Sequence, residues 1–99
     1  RFGTVWTNIP REMFKKLHVS FGERVEICIE HEHRIVYKNI LVYAKSFADV
    51  STGETLLYTN SLDHMAVAIN QGSFAKAYNI GTGIHWKISI RRAPKVIYE

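Results

Sequence analysis

From Arg24 to Glu30 every second residue is apolar and inward-facing, with Val25, Ile27 and Ile29 on one side and Glu26, Cys28 and Glu30 on the other. A repeat of two residues is that of an extended chain, so this stretch predicts a half-buried antiparallel strand. The chain returns over Arg34 to Tyr43 as two β-rich runs, Ile35-Val36-Tyr37 and Ile40-Leu41-Val42-Tyr43. The break between them at Lys38-Asn39 predicts a β-bulge. With His31-Glu32-His33 as the turn, the two strands predict a hairpin.

The same period recurs on either side. Phe2 to Thr7 alternates Phe2, Thr4 and Trp6 with Gly3, Val5 and Thr7, which predicts a strand with an aromatic face. Asn8 is placed to cap a short helix whose first turn tolerates Pro10, and Met13, Phe14 and Leu17 are spaced to cover an apolar face. Ser51-Thr52-Gly53-Glu54 reads as a turn into a strand over Thr55 to Asn60, Ser61-Leu62-Asp63-His64 as a second turn, and Met65 to Ile69 as a second strand. Ser73 is positioned to cap a helix over Phe74 to Tyr78 that Gly81 and Gly83 close. Trp86, Ile88 and Ile90 mark one face of a last clear strand, Arg91-Arg92-Ala93-Pro94 breaks it, and Val96-Ile97-Tyr98 predicts a terminal edge strand.

Short strands joined by one-turn helices predict an all-β fold in a single domain over residues 1–99. The economical form is a small closed Greek-key antiparallel β-barrel of about seven strands with one or two one-turn helices, because closure removes exposed sheet edges. Apolar residues make up 46% of the chain and charged residues 22%, which excludes a disordered chain. No apolar run approaches the roughly 18–20 residues of a membrane-spanning helix. The lone Cys28 excludes an internal disulfide, reads as a small buried apolar side chain and fits a reducing compartment, so the expected location is cytoplasmic. The opening Arg1-Phe2-Gly3, with neither an initiator Met nor a secretory apolar core, reads as part of something longer.

The formal charge of +4 is uneven: residues 1–17 hold four Lys/Arg against one Glu, residues 84–99 four against one, and residues 18–83 five against seven Asp/Glu. If the ends meet they form one positive patch, suited to a phosphate or carboxylate; a solvated basic surface explains the same counts.

His31-Glu32-His33 invites a metal reading, yet alternate positions supply at most two nitrogens, and His18, His64 and His85 stand at no spacing that completes a zinc site. No metal is expected. Asp49, Glu54 and Asp63 all sit in turn-like sequence, and no Ser/His/Asp order, Cys/His pair, Walker loop or dinucleotide-binding glycine pattern is present. Two polar clusters remain, Tyr58-Thr59-Asn60-Ser61 and Asn70-Gln71-Gly72-Ser73, which a strand, a turn and a strand would deliver to neighbouring points as a ligand rim. Turn chemistry alone also gathers Asn, Ser and Gly, so spacing leaves both readings open. A basic barrel with aromatic and polar rims admits a nucleoside site, a single-stranded RNA site or a structural interaction module.

Five separated motifs agree in wording, order and spacing over Phe2 to about Ile90: Phe2-Gly3-Thr4-Val5-Trp6-Thr7-Asn8-Ile9, Ser46-Phe47-Ala48-Asp49-Val50, Gly53-Glu54, Asn60-Ser61, and Ala68-Ile69-Asn70-Gln71-Gly72-Ser73. In these the chain resembles the C-terminal domain of the S-adenosylmethionine hydroxide adenosyltransferases, relatives of the fluorinating and chlorinating enzymes. The resemblance implies a closed barrel after an N-terminal α/β domain, and a homotrimer with substrate between the N-terminal domain of one subunit and the barrel of its neighbour. It implies attack of water or hydroxide on C5′ of S-adenosylmethionine, giving adenosine and methionine, with no cofactor beyond that substrate and neither membrane nor nucleic acid as partner.

Residue by residue, the resemblance implies Phe2 and Phe47 flanking the adenine, Thr4 and Gln71 at its polar edge, Ile69 and Asn70 beside it, and Ser61 and Leu62 lining the methionine end. Thr4 stands where the family usually has Asn, which puts one amide contact in question. Leu62 stands where halogenating members have Arg, which argues against that branch, and Asp63 replaces a usual Gly, which predicts an altered turn. The family's catalytic groups would lie before Arg1, so this chain alone is expected to be inactive.

Overall fold

The computed structural model describes residues 3–94. Among them six strands form one sheet: β1 (Val5–Pro10), β2 (Arg24–His31), β3 (Arg34–Tyr43), β4 (Thr55–Thr59), β5 (His64–Ile69) and β6 (Trp86–Arg92). Two short helices, α1 (Arg11–Phe14) and α2 (Phe74–Tyr78), and single 3-10 turns at Lys15–Leu17 and Phe47–Asp49 connect them. The order across the sheet is β1-β5-β4-β3-β2-β6, and the β1–β5 and β2–β6 pairings make the non-sequential crossings of a Greek key. The outermost strands, β1 and β6, line one groove together with residues 80–83, so the sheet curls into a nearly closed barrel. Phe2 and the expected seventh strand, Val96-Ile97-Tyr98, lie outside the described residues.

Alternation sets the core. Val25, Ile27 and Ile29 point inward, none more than 2% exposed, and pack with Phe14, Tyr37, Leu41, Tyr43, Leu57, Met65, Val67 and Phe74. Each such side chain contributes roughly 1.5–3 kcal/mol on burial, which offsets the entropy of ordering the chain. A second, thinner layer builds on the outer face: Ala44, Leu56 and Ala68, with Val42, Phe47, Val50 and Tyr58 packed against them.

Several local expectations are corrected. The barrel is not wholly antiparallel, since β3 and β4 run parallel with Val42 opposite Leu56 and Tyr43 opposite Leu57. The connection over residues 44–54 is long enough to carry the chain back before β4 begins. The bulge falls at Val36: Ile29 faces Tyr37 and Glu30 faces Ile35, while Lys38 and Asn39 pair regularly with Cys28 and Ile27. Buried Tyr37 and Leu41 hold that stretch in register, so the extra residue moves towards the turn. The turn uses only Glu32 and His33, both at positive φ, as a two-residue hairpin of the mirror-image type requires.

At the other end, β1 runs through Asn8 to Pro10, so Asn8 is a strand residue; Pro10 is the N-cap of α1, and no side chain caps that helix. Phe14 is buried and Leu17 partly so, but Met13 is exposed. Cys28 is half-buried on the side of β2 away from the core. The basic ends do adjoin, because Arg92 donates to the carbonyls of Leu17 and His18 at 3.0 and 2.9 Å, beside Lys15 and Lys16. Arg91 pairs with Glu26.

Candidate functional site

Rows of residues cross the outer face of β1, β5 and β4. Trp6 faces Ala66 in the first pairing and Ala66 faces Tyr58 in the second, which makes a middle row of two aromatic side chains over a small one. Val5 faces Val67, so the same register puts Thr4 level with Ala68, which in turn faces Leu56. The turn between β4 and β5, carrying Ser61 and Leu62, forms the far end.

Phe47 stands over this face. Ser46 Oγ accepts from the Ala48 N–H and Asp49 Oδ2 from the Lys45 N–H, each at 3.2 Å, so residues 45–49 close into a tight turn that presents the ring. The ring centroid lies 5.3 Å from that of Tyr58, with the planes tilted by 53°. Asn70 ties this turn to β5: its Nδ2 donates to the Val50 carbonyl at 3.0 Å, its N–H to the Glu54 carbonyl at 2.9 Å, and its carbonyl accepts from the Gly53 N–H at 2.9 Å. The Asn70 amide is therefore engaged in holding the loop that carries Phe47. Gln71 follows with a φ of 59° and an exposed side chain, while Ile69 packs against the barrel core.

Thr4, Ile69, Asn70 and Gln71 thus gather at one end of the β4–β5 hairpin, while Phe47 packs over the outer layer of Leu56 and Ala68 and reaches Tyr58 in the middle row. Ser61 and Leu62 do not join them. They lie at the opposite end of the six-residue β5 from Asn70 and Gln71, about 17 Å along the strand at a rise of about 3.4 Å per residue. The two polar clusters are not neighbours, because the chain reverses at the first and reaches the second only after a full strand. The site is a track rather than a rim. Trp6 and Tyr58 line its middle although the resemblance assigns a ligand role to neither; the signal for them is the alternation that turns Trp6, 47% exposed, and Tyr58 away from the core.

The track offers aromatic faces, amides and hydroxyls rather than acid–base groups. Asp49 accepts from the Lys45 N–H and Asp63 pairs with Arg11. Among the described residues no cluster of three or more His, Cys, Asp or Glu is placed to hold a metal ion. A hydroxyl elsewhere is chemically distinctive: on the inner side, burial first and Tyr78 second push the Tyr37 pKa up, while Thr55 and Asn39 pull it down. Neither meets regular hydrogen-bond geometry at that hydroxyl, so burial prevails.

Residues 1–87 match the family described as the SAM hydroxide adenosyltransferase C-terminal domain. Similar relatives are fluorinases from Nocardia brasiliensis, 33% identical over 90 residues, and from Actinopolyspora mzabensis, 28% identical over 89. These matches cover 90% and 89% of this chain but only 29% and 28% of those proteins. An uncharacterized conserved protein from Thermotoga maritima has a crystal structure that superimposes with a TM-score of 0.79 at 34% identity, covering 92% of this chain and 32% of that one. Less than a third of the length of the curated relatives is therefore spanned. The chain belongs to the S-adenosylmethionine hydroxide adenosyltransferase family, as its C-terminal domain.

Proposed function

We propose that this domain binds S-adenosylmethionine along the outer track, as the C-terminal part of an enzyme that hydrolyses it to adenosine and methionine. The observation that carries this reading is the division of the site into an amide-rich end at Asn70 and Gln71 and a polar turn at Ser61 and Leu62, joined by the aromatic middle of Trp6, Phe47 and Tyr58 over Ala66. A ligand with a flat base at one end and an amino acid at the other suits two separated ends. A compact ligand would leave one of them empty.

In the reaction the oxygen of water or hydroxide attacks C5′, the C5′–S bond breaks, and its electron pair stays on the sulfur of methionine. The proton of water goes to solvent or to a base outside this chain. Holding oxygen, carbon and sulfur in line, away from bulk water, is achieved by clamping the substrate between two domains, and the barrel supplies binding and closure. The second wall is the N-terminal domain of a neighbouring subunit in a cytoplasmic homotrimer. Leu62 is uncharged and 63% exposed at the methionine end, where halogenating members have Arg, and this supports water rather than halide as the nucleophile.

The full-length protein, incubated with S-adenosylmethionine in heavy-oxygen water, should give methionine and adenosine labelled at the 5′-hydroxyl in equal amounts. A halogenated nucleoside formed only with halide present, or no turnover at all, would overturn the assignment. Binding of single-stranded RNA that falls steeply with salt would favour the nucleic-acid reading.

A further inference from the structure

Asp63 holds a backbone position that suits glycine, with a φ of 65°. The turn around it is fixed from inside and outside. Inside, Asn60 is 8% exposed and its Oδ1 accepts from the N–H groups of Leu62 and His64 at 2.9 and 3.1 Å, while the Asp63 N–H returns to the Asn60 carbonyl at 3.0 Å. Outside, Arg11 binds Asp63 twice: its N–H donates to the Asp63 carbonyl at 2.9 Å and its Nε to Oδ1 at 3.0 Å. Arg11 opens α1 immediately after Pro10, which faces His64 in the β1–β5 pairing. A left-handed residue is thus secured by a side-chain bond that glycine cannot form.

We propose that Asp63 and Arg11 are positioning residues: by fixing the turn, they set the orientation of Ser61 and Leu62 towards the amino-acid end of the substrate. This rests on the function proposed above and adds a specificity element to it. A glycine in the same place leaves the turn free to sample other orientations, whereas the tethered Asp63 holds one. A merely structural pair would lower the melting temperature and change binding of every ligand alike. The positioning role acts on one end of the ligand only. Both side chains are substantially exposed, 41% for Arg11 and 63% for Asp63, so water and salt weaken the pair and the effect is modest, about two- to fivefold in affinity.

The test uses the full-length protein and two ligands, adenosine and S-adenosylmethionine, with Asp63→Asn, Arg11→Ala and the double variant, each corrected for folded fraction. Asn tolerates the left-handed backbone, so Asp63→Asn removes the charge with little added strain; Arg11→Ala removes the same bond from the other side should that variant fold poorly. Each single variant should bind S-adenosylmethionine about two- to fivefold more weakly, the double variant no more weakly than either, and adenosine should bind all of them as it binds the parent. Unchanged S-adenosylmethionine affinity in the folded variants, or an equal loss for adenosine, overturns the positioning role while leaving the proposed function intact. A parent protein that binds neither ligand overturns both.

Discussion

Gly3 and Ser73 touch so closely that a Cβ on Gly3 would lie 2.2 Å from the Ser73 Oγ. The serine is not free to move away, because its Oγ accepts from the Lys76 N–H at 3.2 Å as the cap of α2, and the Gly3 carbonyl accepts from the Ala75 N–H at 2.9 Å. This contact anchors the start of β1, and with it Thr4, to the helix that buries Phe74 in the barrel. Gly3 also has a φ of 80°, which disfavours any side chain. Gly3→Ala should therefore cost about 1–3 kcal/mol in denaturant unfolding, from strain and steric overlap together. An unchanged midpoint would show that the backbone at Ser73, whose Cα would lie 2.8 Å from the new Cβ, shifts away without cost.

The Tyr37 hydroxyl is buried without a regular partner, so its removal sacrifices no bond. Tyr37→Phe should lie within about 1 kcal/mol of the parent, or on the stable side of it. Its pKa, raised from 10.0, gives the sign at alkaline pH. Below that value the phenol is protonated in both states. Above it the unfolded chain releases its proton first, the native state holds more protons, and stability falls as pH rises. Unfolding midpoints taken between about pH 9 and 11 should decline less steeply for Tyr37→Phe than for the parent. Equal slopes would remove Tyr37 from the effect.

These two sites also show where the sequence is informative. Val25, Ile27 and Ile29 declare β2 because each is placed by its nearest neighbours, and Ser73 announces the cap of α2 for the same local reason. The parallel pairing of β3 with β4 depends on the path of residues 44–54, which no local period encodes. Asp63 reads as a substituted glycine, but the bond that secures it comes from Arg11, 52 positions away. The motifs offer two clusters, Asn60-Ser61 and Asn70-Gln71, and their separation follows only from counting β5 as a whole strand between them. Trp6 and Tyr58 are legible as residues of an aromatic face and of the first polar cluster, but their role is not, because an outward aromatic reads alike on a ligand surface and on a plain one.

On the proposed reading the site is shared between two kinds of domain, and the assembly follows from that. A barrel on one subunit facing an N-terminal domain on the next is a head-to-tail contact, which closes into a ring or grows without limit. The full-length protein should therefore sediment as a closed ring, of three subunits on the reading that the resemblance implies, and the 99-residue chain alone should not turn over S-adenosylmethionine. A monodisperse monomer with full activity would refute the shared site.

Phe47 and Phe14 separate binding from stability. Phe14 is 3% exposed inside the barrel, with its ring centroid 4.7 Å from that of Tyr43 in an edge-on contact. Phe14→Ala should cost roughly 3–5 kcal/mol of stability and leave affinity per folded molecule nearly unchanged. Phe47 is half-buried on the outer layer, held by the turn that Ser46 and Asp49 close, and on the proposed reading it stacks on the purine. Its truncation in the full-length protein should weaken adenosine binding by about 1–3 kcal/mol, the usual worth of one aromatic face on a base. The loss of its packing on Leu56 and Ala68 should lower stability less than Phe14→Ala does, since the ring is only partly buried. Calorimetric titration with adenosine, corrected for folded fraction, distinguishes the two variants. If Phe47→Ala binds adenosine as tightly as the parent, the ring belongs to the outer apolar layer alone and the base lies elsewhere on the track.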